Sequence, residues 1–125
     1  MVALTYIFTF EAAHCLEGYA GDCAHLHGHS YRLEVTVKGP VQADGMVIDF
    51  AVLKTLVEES IINRVDHQYL NEVVSFVPTC ENLLLWFWKE LGAALKPYPH
   101  LVLERLVLWE TSNARAEITR EMESR

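Results

Sequence analysis

The sequence predicts an α+β fold, an antiparallel sheet of four strands with two amphipathic helices on one face, in the order ββααββ. Three observations carry this. Residues 2–14 and 27–38 alternate apolar and polar with a period of two, as half-buried strands do, and 101–110 and 114–120 read as two further strands. Between these pairs, 50–63 and 79–95 repeat apolar residues at helical spacing. A glycine-broken loop separates the first two strands and a short turn the last two, so each pair reads as a hairpin.

In the first strand Leu4, Tyr6, Phe8, Phe10, Ala12 and His14 share one face, and Thr5, Thr9 and Glu11 share the other. His14 therefore ends an apolar stripe. Residues 15–26 read as a loop broken by Gly18 and Gly21. The second strand puts Tyr31, Leu33, Val35 and Val37 on one side, with Ser30, Arg32, Glu34, Thr36 and Lys38 opposite. The same phase run backwards adds His27 and His29 to the apolar side. Gly28 between them leaves room for close approach to the backbone, and Gly39-Pro40 stops the strand. Asp44-Gly45 marks a turn before the apolar run Met46-Val47-Ile48.

Asp49 is placed to cap the first helix, whose apolar face comprises Phe50, Leu53, Leu56, Val57 and Ile61, with Glu58 and Glu59 outside. Residues 64–77 read as a connector containing Asp66-His67. Thr79 is placed to cap the second helix, with Leu84, Trp88, Leu91 and Leu95 on its buried face and Pro97 at its end. Thr111-Ser112-Asn113 forms the turn between the last two strands. The outer face of the sheet is mixed, with Ile7, Ala13, Val107 and Trp109 among polar neighbours. An uncovered face and open edges point to closure with further copies of the chain.

A length of 125 residues suits one domain, residues 1–125. A hydrophobic share of 51% fits surface buried in an oligomer. There is no apolar run of spanning length and no signal-peptide pattern, so the expectation is a cytoplasmic protein without membrane contact. A formal net charge of −7 without any basic run argues against nucleic-acid binding. Such a chain binds an anion only where basic groups are gathered locally. Cys15, Cys23 and Cys80 are odd in number and contain no CxxC pair, which suits reduced thiols.

Three in-phase histidines at the end and start of adjacent strands change the meaning of each. A lone histidine on an apolar face is a core residue with a hydrogen bond. A hairpin that sets His14 beside His27 and His29 instead gathers three neutral imidazoles, which suit zinc and leave its fourth position open. His25 continues the same period, so spacing leaves open which two of His25, His27 and His29 bind. Cys15 faces away from His14 and reads as packing. Cys23 has three readings: a small buried loop residue, a fourth ligand, or a thiolate that a nearby cation turns into a base or nucleophile. Asp66-His67 is either a solvated loop pair or a general acid/base histidine with its carboxylate. Glu110 is either the polar end of a strand or an anchor for two N–H donors of a guanidine-like heterocycle. Glu81 in the first helical turn is accounted for by the helix dipole alone.

Six ordered blocks carry a resemblance. They are Phe10-Glu-Ala-Ala-His14, Cys23-Ala-His-Leu-His-Gly-His29, Met46-Val-Ile-Asp-Phe50 with Leu53-Lys54, Val65-Asp-His67 with Tyr69-Leu-Asn71, Pro78-Thr-Cys-Glu-Asn82, and Trp109-Glu-Thr111. Together they resemble the 6-pyruvoyl-tetrahydropterin synthase superfamily, including its 6-carboxy-tetrahydropterin synthase branch. The resemblance implies the tunnelling fold, in which three subunits close a twelve-stranded barrel and two trimers stack as a hexamer with sites at subunit interfaces. It implies that His14, His27 and His29 are the zinc ligands and Cys23 the catalytic thiol. His67 matches the acid/base histidine and Asp66 its partner. Glu110 matches the anchor of the pterin's amino-pyrimidine edge, with Glu81 and Thr79 beside it in the substrate-binding set. Cys80 stands where relatives carry small or hydroxyl residues, and His25 has no matching role.

The implied substrate is 7,8-dihydroneopterin triphosphate. In the carboxy branch it yields 6-carboxy-5,6,7,8-tetrahydropterin, acetaldehyde and triphosphate, on the route to 7-deazaguanine compounds such as queuosine. In the pyruvoyl branch the reaction stops after triphosphate elimination. The short chain and the compact Cys-x-x-x-His-Gly-His block look like the carboxy type. A third branch uses glutamate in place of the cysteine for an aldol cleavage; Cys23 argues against it, and Glu17 nearby keeps it open. The rival from another class is a non-catalytic zinc- or pterin-binding module.

Overall fold

The computed structural model describes residues 1–16 and 26–123. Its frame is one long hairpin. Strand β1 (Val2–His14) pairs antiparallel with β2 (His27–Gly39) in unbroken register, from Val2 opposite Gly39 to His14 opposite His27. With side chains alternating, that register brings the two apolar stripes onto one face. Phe8, Phe10, Ala12 and His14 are buried there beside Tyr31, Leu33, Val35 and Val37. Strand β4 (Val102–Thr111) pairs antiparallel with β2, and β5 (Ala114–Thr119) with β4. These four strands and both hairpins match the sequence reading.

Among the described residues the sheet is nevertheless five-stranded and mixed. A two-residue strand, β3 (Gln68–Tyr69), runs parallel to β1 at Ala12 and Ala13, giving the order β3-β1-β2-β4-β5. Two residues cannot display an alternation, which is why this segment reads as connector in the sequence.

Two helices cover the buried face. In α1 (Phe50–Val57) the Asp49 carboxylate accepts the Ala51 N–H at 2.7 Å, as its position predicts. The regular helix does not continue to residue 63. It passes into a π-helical turn, Glu58–Ile62, and then Asn63–Val65. The wider turn carries both Ile61 and Ile62 inward beside Val57 and Val65, which a 3.6-residue period would separate. At the junction the Ser60 hydroxyl donates to the Leu56 carbonyl at 2.6 Å. Phe50, expected inside, is half exposed, because the first turn lies at the margin of the sheet against a partly buried Tyr6.

A helical turn at Leu70–Val73 leads to α2 (Cys80–Ala94), capped by Thr79, whose side chain accepts the Asn82 N–H at 3.1 Å. Leu83, Leu84, Phe87 and Leu91 form its buried stripe. Trp88, expected inside, is only partly buried, since Phe87 takes the centre edge-on to Phe10. The helix stops at a Leu95 cap, before Pro97. Val107, assigned to the outer face, is 1% exposed between its longer cross-strand neighbours Glu34 and Glu117.

Glycine is needed at the end of the hairpin, where the chain packs closely. A Cβ on Gly39 would sit 2.8 Å from the His100 carbonyl oxygen, whereas one on Gly28 would meet nothing closer than 3.7 Å. Among the described residues no helix is long and apolar enough to cross a membrane.

Candidate metal centre

The register that forms the hairpin also assembles the site. His14 faces His27 across the β1–β2 pair, and Ala12 faces His29, so three imidazoles on one sheet face meet at the end of the hairpin. Their ring centroids stand 4.4 Å (His14–His27), 5.1 Å (His14–His29) and 4.8 Å (His27–His29) apart. One ligating nitrogen from each lies within 4.8 Å of the others.

The protonation pattern suits a metal. The His14 ring, 1% exposed, donates from Nδ1 to the Pro78 carbonyl at 2.8 Å. A carbonyl only accepts, so Nδ1 carries the proton of this bond and Nε2 is the nitrogen turned toward the other two rings. That Nε2 lies 2.8 Å from Nε2 of His27. His29 is held below the usual histidine range, chiefly by desolvation; Glu110 opposes this, while His14 and His27 add to it. Its Nε2 is 3.5 Å from a Glu110 oxygen and has no hydrogen-bond partner. With the ring favoured neutral, that contact is a near approach rather than an ion pair. Three imidazoles, one oriented by a backbone carbonyl, fit a divalent ion of zinc's kind.

Glu110 sits where the β4–β5 register slips between Trp109 and Thr111. With Cys80, Glu81 and Arg115 it lines a cavity of about 440 Å³. Thr79 caps α2 next to this cavity through its hydroxyl oxygen. Burial pushes the Cys80 thiol up to about 12, with the charges of Glu110 and Glu81 adding to it. The thiol stays protonated and donates to the Leu108 carbonyl at 3.4 Å.

Asp66 and His67 form the expected pair on the far side of β1. The Asp66 carboxylate accepts the Glu11 N–H at 3.0 Å and lies 3.0 Å from His67 Nδ1. The His67 N–H donates to the Glu11 carbonyl at 2.6 Å, and its backbone is left-handed, with φ of 60°. The imidazole is exposed and borders a cavity of about 460 Å³ shared with Glu11, Gly28, His29 and Ser30. Cys15 is tied through its backbone to both ends of the Asn71 amide, at 2.9 and 2.7 Å. Cys23, His25 and Glu17 lie outside the described residues.

One residue at this site escaped the sequence reading. Tyr31 is fully buried, with its ring 5.6 Å from His29 and 6.4 Å from His14, and its hydroxyl has no partner. Burial, then the charges of Glu110 and Cys80, raise its pKa, so it remains a phenol and a donor. The available signal was its phase, two residues beyond His29 on the same face, but a tyrosine there also reads as core.

The chain matches known proteins along most of its length. A family model described as "6-pyruvoyl tetrahydropterin synthase" matches residues 3–121. The 6-carboxy-5,6,7,8-tetrahydropterin synthase of Synechocystis is 41% identical over 101 residues, 76% of this chain and 78% of that protein. The dihydroneopterin monophosphate aldolase of Pyrococcus furiosus is 34% identical over 115 residues, 92% of this chain and 95% of that one. In structure, the 6-pyruvoyl tetrahydropterin synthase of Caenorhabditis elegans superposes with a TM-score of 0.81 at 27% identity, covering 94% of each chain.

Proposed function

The chain belongs to the 6-pyruvoyl tetrahydropterin synthase family, and from that premise we propose that it is a zinc-dependent lyase converting 7,8-dihydroneopterin triphosphate and one water to 6-carboxy-5,6,7,8-tetrahydropterin, acetaldehyde and triphosphate. The observation that carries this reading is the triad of His14, His27 and His29, with Glu110 beside it. The identity to the Synechocystis protein supports the carboxy branch.

His14, His27 and His29 would hold the zinc. When bound, it supplies Lewis acidity toward the two side-chain hydroxyls of the substrate. Glu110 accepts two N–H donors from the amino-pyrimidine edge, which fixes the ring; Glu81 lines the same pocket, and Thr79 caps the helix that carries Glu81. Cys23 removes a side-chain proton as thiolate. His67 moves protons elsewhere on the substrate, with Asp66 holding its imidazole. The ring is reduced as the side chain is oxidised, so no redox cofactor enters. The domain, residues 1–125, works in the cytoplasm as a hexamer of two trimers, with barrel closure satisfying the open sheet edges. The product belongs to the queuosine precursor route.

The test is to give zinc-loaded protein 7,8-dihydroneopterin triphosphate and identify the product by mass. Acetaldehyde with a carboxy-pterin is expected. A pyruvoyl-pterin would move the protein to the sister activity of the C. elegans relative, and zinc binding without any product would leave only a binding module. Cys23→Ala should keep its zinc and lose turnover; full activity in that variant would remove the cysteine from the mechanism.

A further inference from the structure

We propose that Asn71 is a positioning residue for His67: it locks the segment 66–71 onto the end of β1, so that an exposed imidazole keeps its aim. The inference rests on the lyase reading above, which gives His67 its proton-moving role.

The strand register singles out Asn71. In the parallel pairing of β1 with β3, Ala12 lies opposite Gln68 and Ala13 opposite Tyr69. The same register continued would set Cys15 opposite Asn71. The backbone does not continue it, because the chain enters a helical turn at Leu70. The Asn71 side chain takes the place of the missing strand. Its Oδ1 accepts the Cys15 N–H at 2.9 Å, and its Nδ2 donates to the Cys15 carbonyl at 2.7 Å. An N–H only donates and a carbonyl only accepts, so these partners fix which way the amide points. A carboxamide carries the donor and the acceptor of a peptide group in one plane. Asn71 thus lengthens a two-residue ladder by one peptide-like pair. Leu70 beside it is buried, which sets the depth of the turn but no hydrogen-bond register.

What this ladder holds is His67. Among the described residues it is the non-glycine with positive φ, 60°, a conformation that a Cβ disfavours. Its side chain is exposed, so packing does little to aim the ring. Direction comes instead from the backbone and from the Asp66 carboxylate, 3.0 Å from Nδ1. Before the imidazole the segment is fixed at Glu11, through the Asp66 carboxylate and the His67 N–H. After it come β3 and then Asn71. Two residues are short for a strand. The Asn71 pair is therefore what fixes a disfavoured backbone from its second side. A shift of about 1 Å in a group that moves protons costs about a hundredfold in rate. The zinc ligand next to Cys15 has its own supports, since His14 is held by the Pro78 carbonyl and by its pairing with His27.

The test compares zinc-loaded Asn71→Ala and Asn71→Asp, the second keeping the acceptor and losing the donor. The control is Gln42→Ala, which removes a side-chain bond to the Pro40 carbonyl beyond the far end of β2. Asn71→Ala should lower kcat about tenfold or more, with KM held within about threefold and zinc content unchanged. Asn71→Asp should lower kcat as well, and Gln42→Ala should not. Placed on top of His67→Ala, Asn71→Ala should cause no further loss, because the two act as one unit. A readout without turnover is amide hydrogen exchange followed by NMR. In Asn71→Ala the His67 amide should exchange about tenfold faster or more, while Phe10 and Leu33 in the sheet stay as they were. Unchanged kcat and exchange in both Asn71 variants, zinc lost in step with activity, a further loss on top of His67→Ala, or faster exchange throughout the sheet would each overturn the role of Asn71. Should the unaltered protein make no product, faster exchange confined to His67 and β3 removes the reaction and leaves the hold. Turnover and exchange both indifferent to Asn71 remove the hold and leave the reaction.

Discussion

One proton of His14 is placed by its partner. Its Nδ1 faces the Pro78 carbonyl, so Nε2 is the nitrogen turned toward His27. The thiols are a second matter of single residues, because Cys80 and the proposed base Cys23 should behave oppositely. Cys80 is buried and pushed from its ordinary 9.0 up to about 12. Iodoacetamide at pH 7.5 should therefore label Cys23 and leave Cys80 unmodified in peptide mass maps; rapid labelling of Cys80 would contradict its burial. The same shift has a sign in stability. A folded-state pKa above the unfolded one stabilises the protein fully below pH 9 and progressively less as pH rises toward 12. Cys80→Ala should lack that part of the alkaline loss when melting temperature is followed against pH.

At the scale of elements, the start of α2 and the hairpin are coupled through one carbonyl. Thr79 caps the helix, and Pro78 beside it receives the His14 proton. Thr79→Ala should cost about 1 kcal/mol of stability, read from chemical denaturation. It should also weaken zinc binding by about tenfold or more in a competition with a chelator, since loosening the carbonyl loosens the imidazole's tautomer and aim. Lost stability with unchanged zinc affinity would show that the cap and the metal site are independent. The Asp66-His67 pair is likewise held by an element, clamped to the Glu11 backbone of β1 from both sides. Short elements were the ones the sequence hid. The β3 strand is too brief to alternate, and the π-helical turn changes the helical period inside an apolar run, where Ile61 and Ile62 look alike to any pattern.

For the whole molecule, the uncovered sheet face and two edges demand an explanation. Among the described residues only Ala12 and Ala13 of β1 are paired on the outer side, by β3, and β5 ends the sheet at the other margin. Ile7 is 45% exposed on the face away from the helices. Light scattering should give six copies of the 14.3 kDa chain, as barrel closure by stacked trimers requires; a stable monomer with full activity would sink the assembly.

What the sequence by itself determined is periodic: four strands, two capped helices, and a phase that puts His14, His27 and His29 on the buried face. Alternation and helical spacing are local, so they survive in the linear chain. Only tertiary structure decided what depends on register between strands. Pairing of His14 with His27 set His14, His27 and His29 together as a triad among the described residues. The slip after Trp109 brought Glu110 within 3.5 Å of His29. Arg32, Trp109 and Arg115 are cross-strand neighbours because three strands place residues 77 and 83 positions beyond Arg32 at the same level. Such neighbours share no spacing along the chain, so no pattern in it could announce them.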